Sequence, residues 1–195
     1  MLRITQPWRP PALGLAAALV GAAPAAHAAT LQERIALCAG CHGEDGNSKM
    51  EKIPSLAGQP AFFLLNSLFL MREGVRKVDA MASFVKELTD EELDALSKHY
   101  TALPAKPSGE KIDAALAGKG AAVATQRGCQ SCHLPTLAGQ EQIPRLAKQR
   151  IDYLIPTLKS YRDAPRPGAD TAMSAAIAGA ADEDIAALAN FAASK

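Results

Sequence analysis

The sequence predicts an all-α protein built as two tandem lobes related by internal duplication. Three observations carry this. The same features recur in the same order in both halves, helix-capping signals stand ahead of stretches with helical apolar spacing, and no segment alternates apolar and polar residues as a half-buried strand would. The first half carries Cys38-Ala-Gly-Cys41-His42, then Ile53-Pro54-Ser55-Leu56-Ala57, Met81, and an acidic, leucine-bearing stretch from Asp90. The second carries Cys129-Gln-Ser-Cys132-His133, then Ile143-Pro144-Arg145-Leu146-Ala147, Met173, and a matching stretch from Asp182, at an offset that stays between 90 and 92 residues.

Thr30 followed by Glu33 makes a capping box ahead of the helix that delivers the first cysteine motif. Pro60 just inside the start and Gly74 just past the end bound a second helix, 61–73. Thr89 with Glu92 caps a third, with Leu88 and Leu93 placed as a hydrophobic staple and Leu93, Leu96 and Tyr100 marking its buried stripe. In the second lobe a helix from about 150 to 161 contains Pro156, which removes a backbone donor and predicts a kink. Its last helix has Ala181 where the first lobe has Thr89, so Asp182 is the expected cap. Between the halves, 104–109 holds two prolines and a glycine, which exclude continuous helix and favour a short, stiff connector. The chain then divides into a leader, 1–28, a first lobe, 29–104, a linker, 105–109, and a second lobe, 110–195.

The leader reads as a cleaved secretory signal: Arg3 and Arg9 precede an apolar run from 12 to 23, and Ala26-His27-Ala28 supplies a small-x-small cleavage site. Pro11 and Pro24 bracket a run shorter than the roughly 20 apolar residues of a membrane-spanning helix, so a soluble, exported product with no stable membrane span is expected. Losing Arg3 and Arg9 takes the basic residues from 21 to 19 against 20 acidic ones, a balance that disfavours nucleic-acid binding by bulk charge. Of nine aromatic residues Trp8 lies in the leader, and the eight that remain give Ala-rich helices a thin core.

Cys-x-x-Cys-His is the spacing of covalent c-type haem attachment, and it occurs twice. One helical turn brings both thiols near the vinyl groups of one porphyrin while the adjacent imidazole reaches the iron. The two copies use every cysteine in the chain. A thioredoxin-type pair would need a strand-helix setting and would leave the histidines unexplained, and thiolates some 90 residues apart in separate lobes make poor shared zinc ligands. Cys38, Cys41, Cys129 and Cys132 are therefore read as thioether anchors and His42 and His133 as iron ligands of two covalently bound haem c groups. Two large apolar macrocycles also supply the core that the aromatics do not, so the haem-free chain should be loose or unfolded.

Elimination points to Met173 as the second iron ligand of the second lobe, because no histidine follows His133 and no other methionine is present there. The prolines of 164–168 limit the freedom of the stretch ahead of it. In the first lobe Met50, Met71, Met81 and His99 are all available, and spacing favours Met81, 39 residues past His42 as Met173 is 40 past His133. His99 is most simply a surface or partly buried residue of the third helix. Pro54 and Pro144 lie 12 and 11 residues past their histidines, where a backbone carbonyl could take the imidazole Nδ1 proton, or where each proline could merely shape a loop.

With these motifs the chain resembles the class I c-type cytochromes, and its tandem arrangement is similar to the dihaem cytochrome c4 family. The likeness extends to Pro54-Ser-Leu-Ala-Gly-Gln59, Gly74-Val-Arg76, the Leu-Thr-Asp-Glu-Glu-Leu run around Thr89 and Asp184-Ile-Ala-Ala-Leu-Ala189. The resemblance implies two tandem class I cytochrome c-like domains related by a pseudo-twofold, His/Met iron in both, and haem edges that approach across the interface. It also implies periplasmic electron transport between a membrane cytochrome complex and a terminal oxidase. Departures are Lys148-Gln149 where the first lobe has Gly58-Gln59, Pro156, and the proline-rich stretch before Met173.

Filled axial positions leave iron no open site for oxygen or peroxide, so the reading is an electron carrier with no small-molecule substrate, not an enzyme. Methionine ligation raises the potential, as suits a donor to a high-potential acceptor. A second reading is an electron-transfer subunit of a flavin- or metal-dependent dehydrogenase, motivated by the apolar circumference of the helix that begins near Phe62. A third, a dihaem peroxidase, requires one five-coordinate iron.

Overall fold

A computed structural model describes residues 29–164 and 171–195. The leader 1–28 and most of the proline-rich stretch ahead of Met173 fall outside the described residues. Within them the chain forms nine α-helices and one isolated β-bridge, Gln140 with Ile143. The first lobe holds α1 (Leu31–His42), α2 (Ala61–Arg72), α3 (Asp79–Val85) and α4 (Asp90–Ala102). The second holds α5 (Ala114–Gln126), α6 (Cys129–His133), α7 (Ile151–Asp163), α8 (Thr171–Ile177) and α9 (Asp182–Ala193). No helix among the described residues is long and apolar enough to cross a membrane.

Local chemistry sets most of the helix boundaries. Thr30 with Glu33 and Thr89 with Glu92 form capping boxes at α1 and α4, each satisfying two orphan backbone donors. Pro60 stands at the N-cap of α2 and not inside it. At α9 the expected Asp182 cap does not form. Ala181 takes the extended N-cap conformation, and Asp182 is the first helical residue, where its carboxylate pairs with Lys159 and Arg162 of α7. The second cysteine motif also departs from the first: α5 stops at Gln126, Gly128 turns left-handed at φ +67°, and α6 begins afresh at Cys129. α7 runs through Pro156.

Each lobe packs its own apolar cluster. In the first, Leu64, Val85, Leu88, Leu93, Leu96 and Tyr100 bring α2, α3 and α4 together, so the expected α4 stripe and its staple are both buried. In the second, Val123, Leu154, Leu158, Ile177, Ile185, Leu188 and Phe191 join α5, α7, α8 and α9. A Cβ on Gly120 would collide with the Ala187 carbonyl, so only glycine allows α5 this close to α9. The duplication reaches the ion pairs: Arg72 donates to the Leu88 carbonyl at 2.8 Å and meets Asp90 at 2.8 Å, and Arg162 donates to the Ala180 carbonyl at 2.9 Å and meets Asp182 at 2.6 Å.

The linker is fastened at both ends. Asn47 of the first lobe accepts from the Lys106 N–H at 2.7 Å and donates to the Pro104 carbonyl at 3.1 Å, while the Lys106 ammonium meets Asp45 at 2.7 Å. Beyond it, Glu110 accepts from the N–H groups of Ile151 and Asp152 at 2.8 and 3.1 Å, capping α7. The lobes also meet directly, with Arg150 donating to the Ser48 carbonyl at 3.4 Å.

Candidate functional site

α1 carries Cys38, Cys41 and His42 in its last turns. A glycine, Gly43 at φ +86°, turns the chain away immediately afterwards. His42 is buried, and its Nδ1 lies 2.8 Å from the Pro54 carbonyl oxygen. Since a carbonyl only accepts, the proton resides on Nδ1 and the lone pair on Nε2. α6 repeats this: His133 is buried, with Nδ1 2.8 Å from the Pro144 carbonyl. Of the two roles open to the prolines, both act as acceptors that orient the ring. Burial, the larger influence, pulls both imidazoles below the usual histidine range against the opposing carbonyl bond, so the neutral, metal-binding form is favoured. Burial likewise pushes the Cys38 and Cys129 thiols up.

In the first lobe Cys38, Leu68, Met81, Phe84, Val85, Leu88 and Leu96 line one apolar cleft. Met81 reaches it from α3. Met71 packs on the same apolar cluster from α2 without lining that cleft, and Met50 is exposed. His99 is partly buried, its ring set edge-on to Tyr100 at 5.0 Å. In the second lobe Met173, on α8, and Cys129 both pack against the one apolar cluster. None of the cysteines is in a disulfide, and no group of three or more His, Cys, Asp or Glu able to hold a bare metal ion occurs among the described residues.

The residues fit a porphyrin. Each motif sets two thiols and an imidazole protonated on Nδ1 against an apolar cluster, and the lobe interface holds a buried cation whose Nε and Nη2 meet no hydrogen-bond partner among the described residues. Arg145 is 5% exposed, donates Nη1 to the Ala147 carbonyl, and leaves Nε and Nη2 buried and unbonded. A buried guanidinium calls for an anion, and haem carries two carboxylates. Arg145 and the interface glutamines Gln59 and Gln149 escaped the sequence reading as site residues; the recurrence of Gln at one repeat position was the available signal.

Comparison with known proteins agrees. The family model for cytochrome c oxidase, cbb3-type, subunit III matches residues 22–99, and that for cytochrome c matches 117–194. Cytochrome c4 of Pseudomonas aeruginosa is 31% identical over 89% of this chain and 91% of its own. The thiosulfate dehydrogenase electron acceptor of Thiomonas intermedia is 33% identical over 77% and 74%. The crystal structure of reduced recombinant cytochrome c4 from Pseudomonas stutzeri superposes with a TM-score of 0.75 at 29% identity, covering 83% of this chain and 95% of that one.

Two tandem all-α domains, each built like a class I cytochrome c and together carrying two covalently bound haem c groups, define a dihaem c-type cytochrome. The expectation of internally duplicated cytochrome c-like domains is borne out. The chain belongs to the cytochrome c4 family and is a dihaem electron carrier.

Proposed function

We propose that this chain is exported by a cleaved leader, 1–28, and carries single electrons through the periplasm, from a membrane cytochrome complex toward a terminal oxidase, with both irons six-coordinate. Lobes 29–104 and 110–195, joined by 105–109, would each serve one haem. The observation that carries the reading is the pair of 2.8 Å bonds from His42 to Pro54 and from His133 to Pro144, since each fixes Nε2 as the free nitrogen in a Cys-x-x-Cys-His motif.

Bound haem c supplies a one-electron iron couple. The chain's own residues do the rest. Cys38 and Cys41 would hold one group by thioether bonds and Cys129 and Cys132 the other, so attachment does not depend on ligation. His42 and Met81 would ligate one iron and His133 and Met173 the other, the methionine being a soft ligand that favours the reduced state. Arg145 would meet a haem carboxylate at the interface. The apolar clusters exclude water, which keeps reorganisation on electron transfer small. Mass spectrometry of mature protein should find the leader absent and two haem masses added, and a redox titration followed by optical and magnetic spectra should resolve two low-spin centres. One added haem, or a high-spin centre, would refute the assignment.

A second reading, electron-transfer subunit of a dehydrogenase, has specific support. Phe62 and Phe69 of α2 are 52% and 43% exposed, and a relative at 33% identity is described as a thiosulfate dehydrogenase electron acceptor. Stable co-purification with a dehydrogenase would favour it, and a clean monomer on size-exclusion chromatography the free carrier.

A further inference from the structure

The two lobes share a reciprocal contact that reaches both proximal histidines. Gln59 and Gln149 occupy equivalent repeat positions and are 3% and 2% exposed. Gln149 grips the backbone of Ser55: its Oε1 accepts from the Ser55 N–H at 2.8 Å and its Nε2 donates to the Ser55 carbonyl at 2.9 Å. Gln59 grips Arg145 in the same manner, accepting from its N–H at 2.9 Å and donating to its carbonyl at 3.0 Å. Ser55 and Arg145 are themselves equivalent, and each directly follows the proline whose carbonyl receives the histidine proton.

One peptide group therefore carries both bonds. The unit joining Pro54 to Ser55 accepts from His42 at its oxygen and donates to Gln149 of the other lobe at its nitrogen. The unit joining Pro144 to Arg145 does the same between His133 and Gln59. A peptide is conjugated, so an acceptor on its N–H draws electron density toward its oxygen and makes that oxygen the better acceptor. The imidazole bonded there gains anionic character, and a more basic imidazole stabilises oxidised iron.

We propose that Gln149 is a positioning residue for His42, and Gln59 for His133, so that each lobe sets the proximal bond of the opposite haem through one peptide unit. The inference rests on His42 and His133 being iron ligands. It makes each potential depend on the docking of the two lobes, and gives the buried amides a role that simple adhesion would not require.

The test uses reduced, diamagnetic holoprotein labelled with 15N at histidine. Two slowly exchanging Nδ1–H signals bearing haem ring-current shifts would verify the ligands; a missing signal would count against ligation and not against the glutamines. In Gln149→Leu the His42 signal should move upfield while that of His133 stays, and Gln59→Leu should reverse the pattern. Partial oxidation, read from each histidine's own signal, should place a raised midpoint on the haem opposite the substituted lobe only. Gln149→Glu keeps an acceptor for the Ser55 N–H, so His42 should hold its position or move downfield. Movement of both histidines together, of neither, or of the one in the substituted lobe would overturn the proposal, as would a Glu variant that behaves like Leu.

Discussion

Arg145 donates from one guanidinium nitrogen to the carbonyl of Ala147, two residues on, and keeps Nε and Nη2 buried with no partner among the described residues. Burial pulls this guanidinium down to about 10, the direction expected of a cation short of a counter-charge. A haem carboxylate at the interface would supply it. Arg145→Leu should then lower the midpoint of one haem, because loss of a nearby cation favours ferric iron and leaves a carboxylate uncompensated. A charge-assisted hydrogen bond contributes about 1.5–3 kcal/mol, and 1.4 kcal/mol corresponds to about 59 mV for one electron; only the part that differs between the oxidation states moves the midpoint, so the fall should be on the order of tens of mV. It should also become pH-dependent as the carboxylate begins to titrate. Arg145→Lys should restore most of the loss, and unchanged midpoints in the Leu variant would separate Arg145 from the haem carboxylates.

Met81 lines the cleft that holds Cys38, and Met173 shares an apolar cluster with Cys129. Met81→Ala and Met173→Ala should each abolish the weak near-infrared sulfur-to-iron band of one haem, lower its potential, and open the iron to carbon monoxide. Met50→Ala and Met71→Ala should do none of these. A band that survives in Met81→Ala and disappears in Met71→Ala would move the first-lobe ligand to α2.

The parts of this molecule legible in sequence are those decided within a few residues. Cys-x-x-Cys-His spans a single turn, and Thr30 with Glu33 closes a capping box over three residues. The helices bearing the methionines left no comparable mark: α3 has seven residues and starts after Val78, which offers no side-chain cap. Asp182 misled for a related reason, since a carboxylate at a helix start can cap or form ion pairs, and Arg162 and Lys159, some 20 residues earlier, claimed it. Contacts between lobes were out of reach altogether. Gln149 and Ser55 are 94 residues apart, and only the folded pair of lobes reveals that the repeated glutamine is turned outward from its own domain.

Haem removal should undo the fold, because the first lobe's buried cluster amounts to six residues, one of them aromatic. With all four cysteines changed to serine, helical circular dichroism should fall to a small fraction of the holoprotein value and cooperative thermal unfolding should vanish. Attachment at one motif alone should leave one lobe folded. A cooperative transition in the haem-free chain would mean that the helices pack without the macrocycle.

Acid should loosen the linker's first anchor. The Asp45 carboxyl is held down at about 2, first by the Lys106 ammonium hydrogen-bonded to it and next by the Asn47 N–H. An unfolded aspartate titrates near 3.9, so between these values the unfolded chain binds the extra proton and stability rises with pH. The contribution is therefore complete above about pH 4 and lost as the pH falls toward 2. Because the pair is exposed, its effect is small and screened by salt. Lys106→Met should bring the Asp45 pKa part of the way back and flatten the decline of the holoprotein's thermal midpoint between about pH 5 and 3. The difference from the parent should shrink in high salt and be least at the acid end. Parallel curves for the two proteins at low salt would remove this pair from the acid response and shift attention to the Arg150 and Asp152 pair beyond the linker.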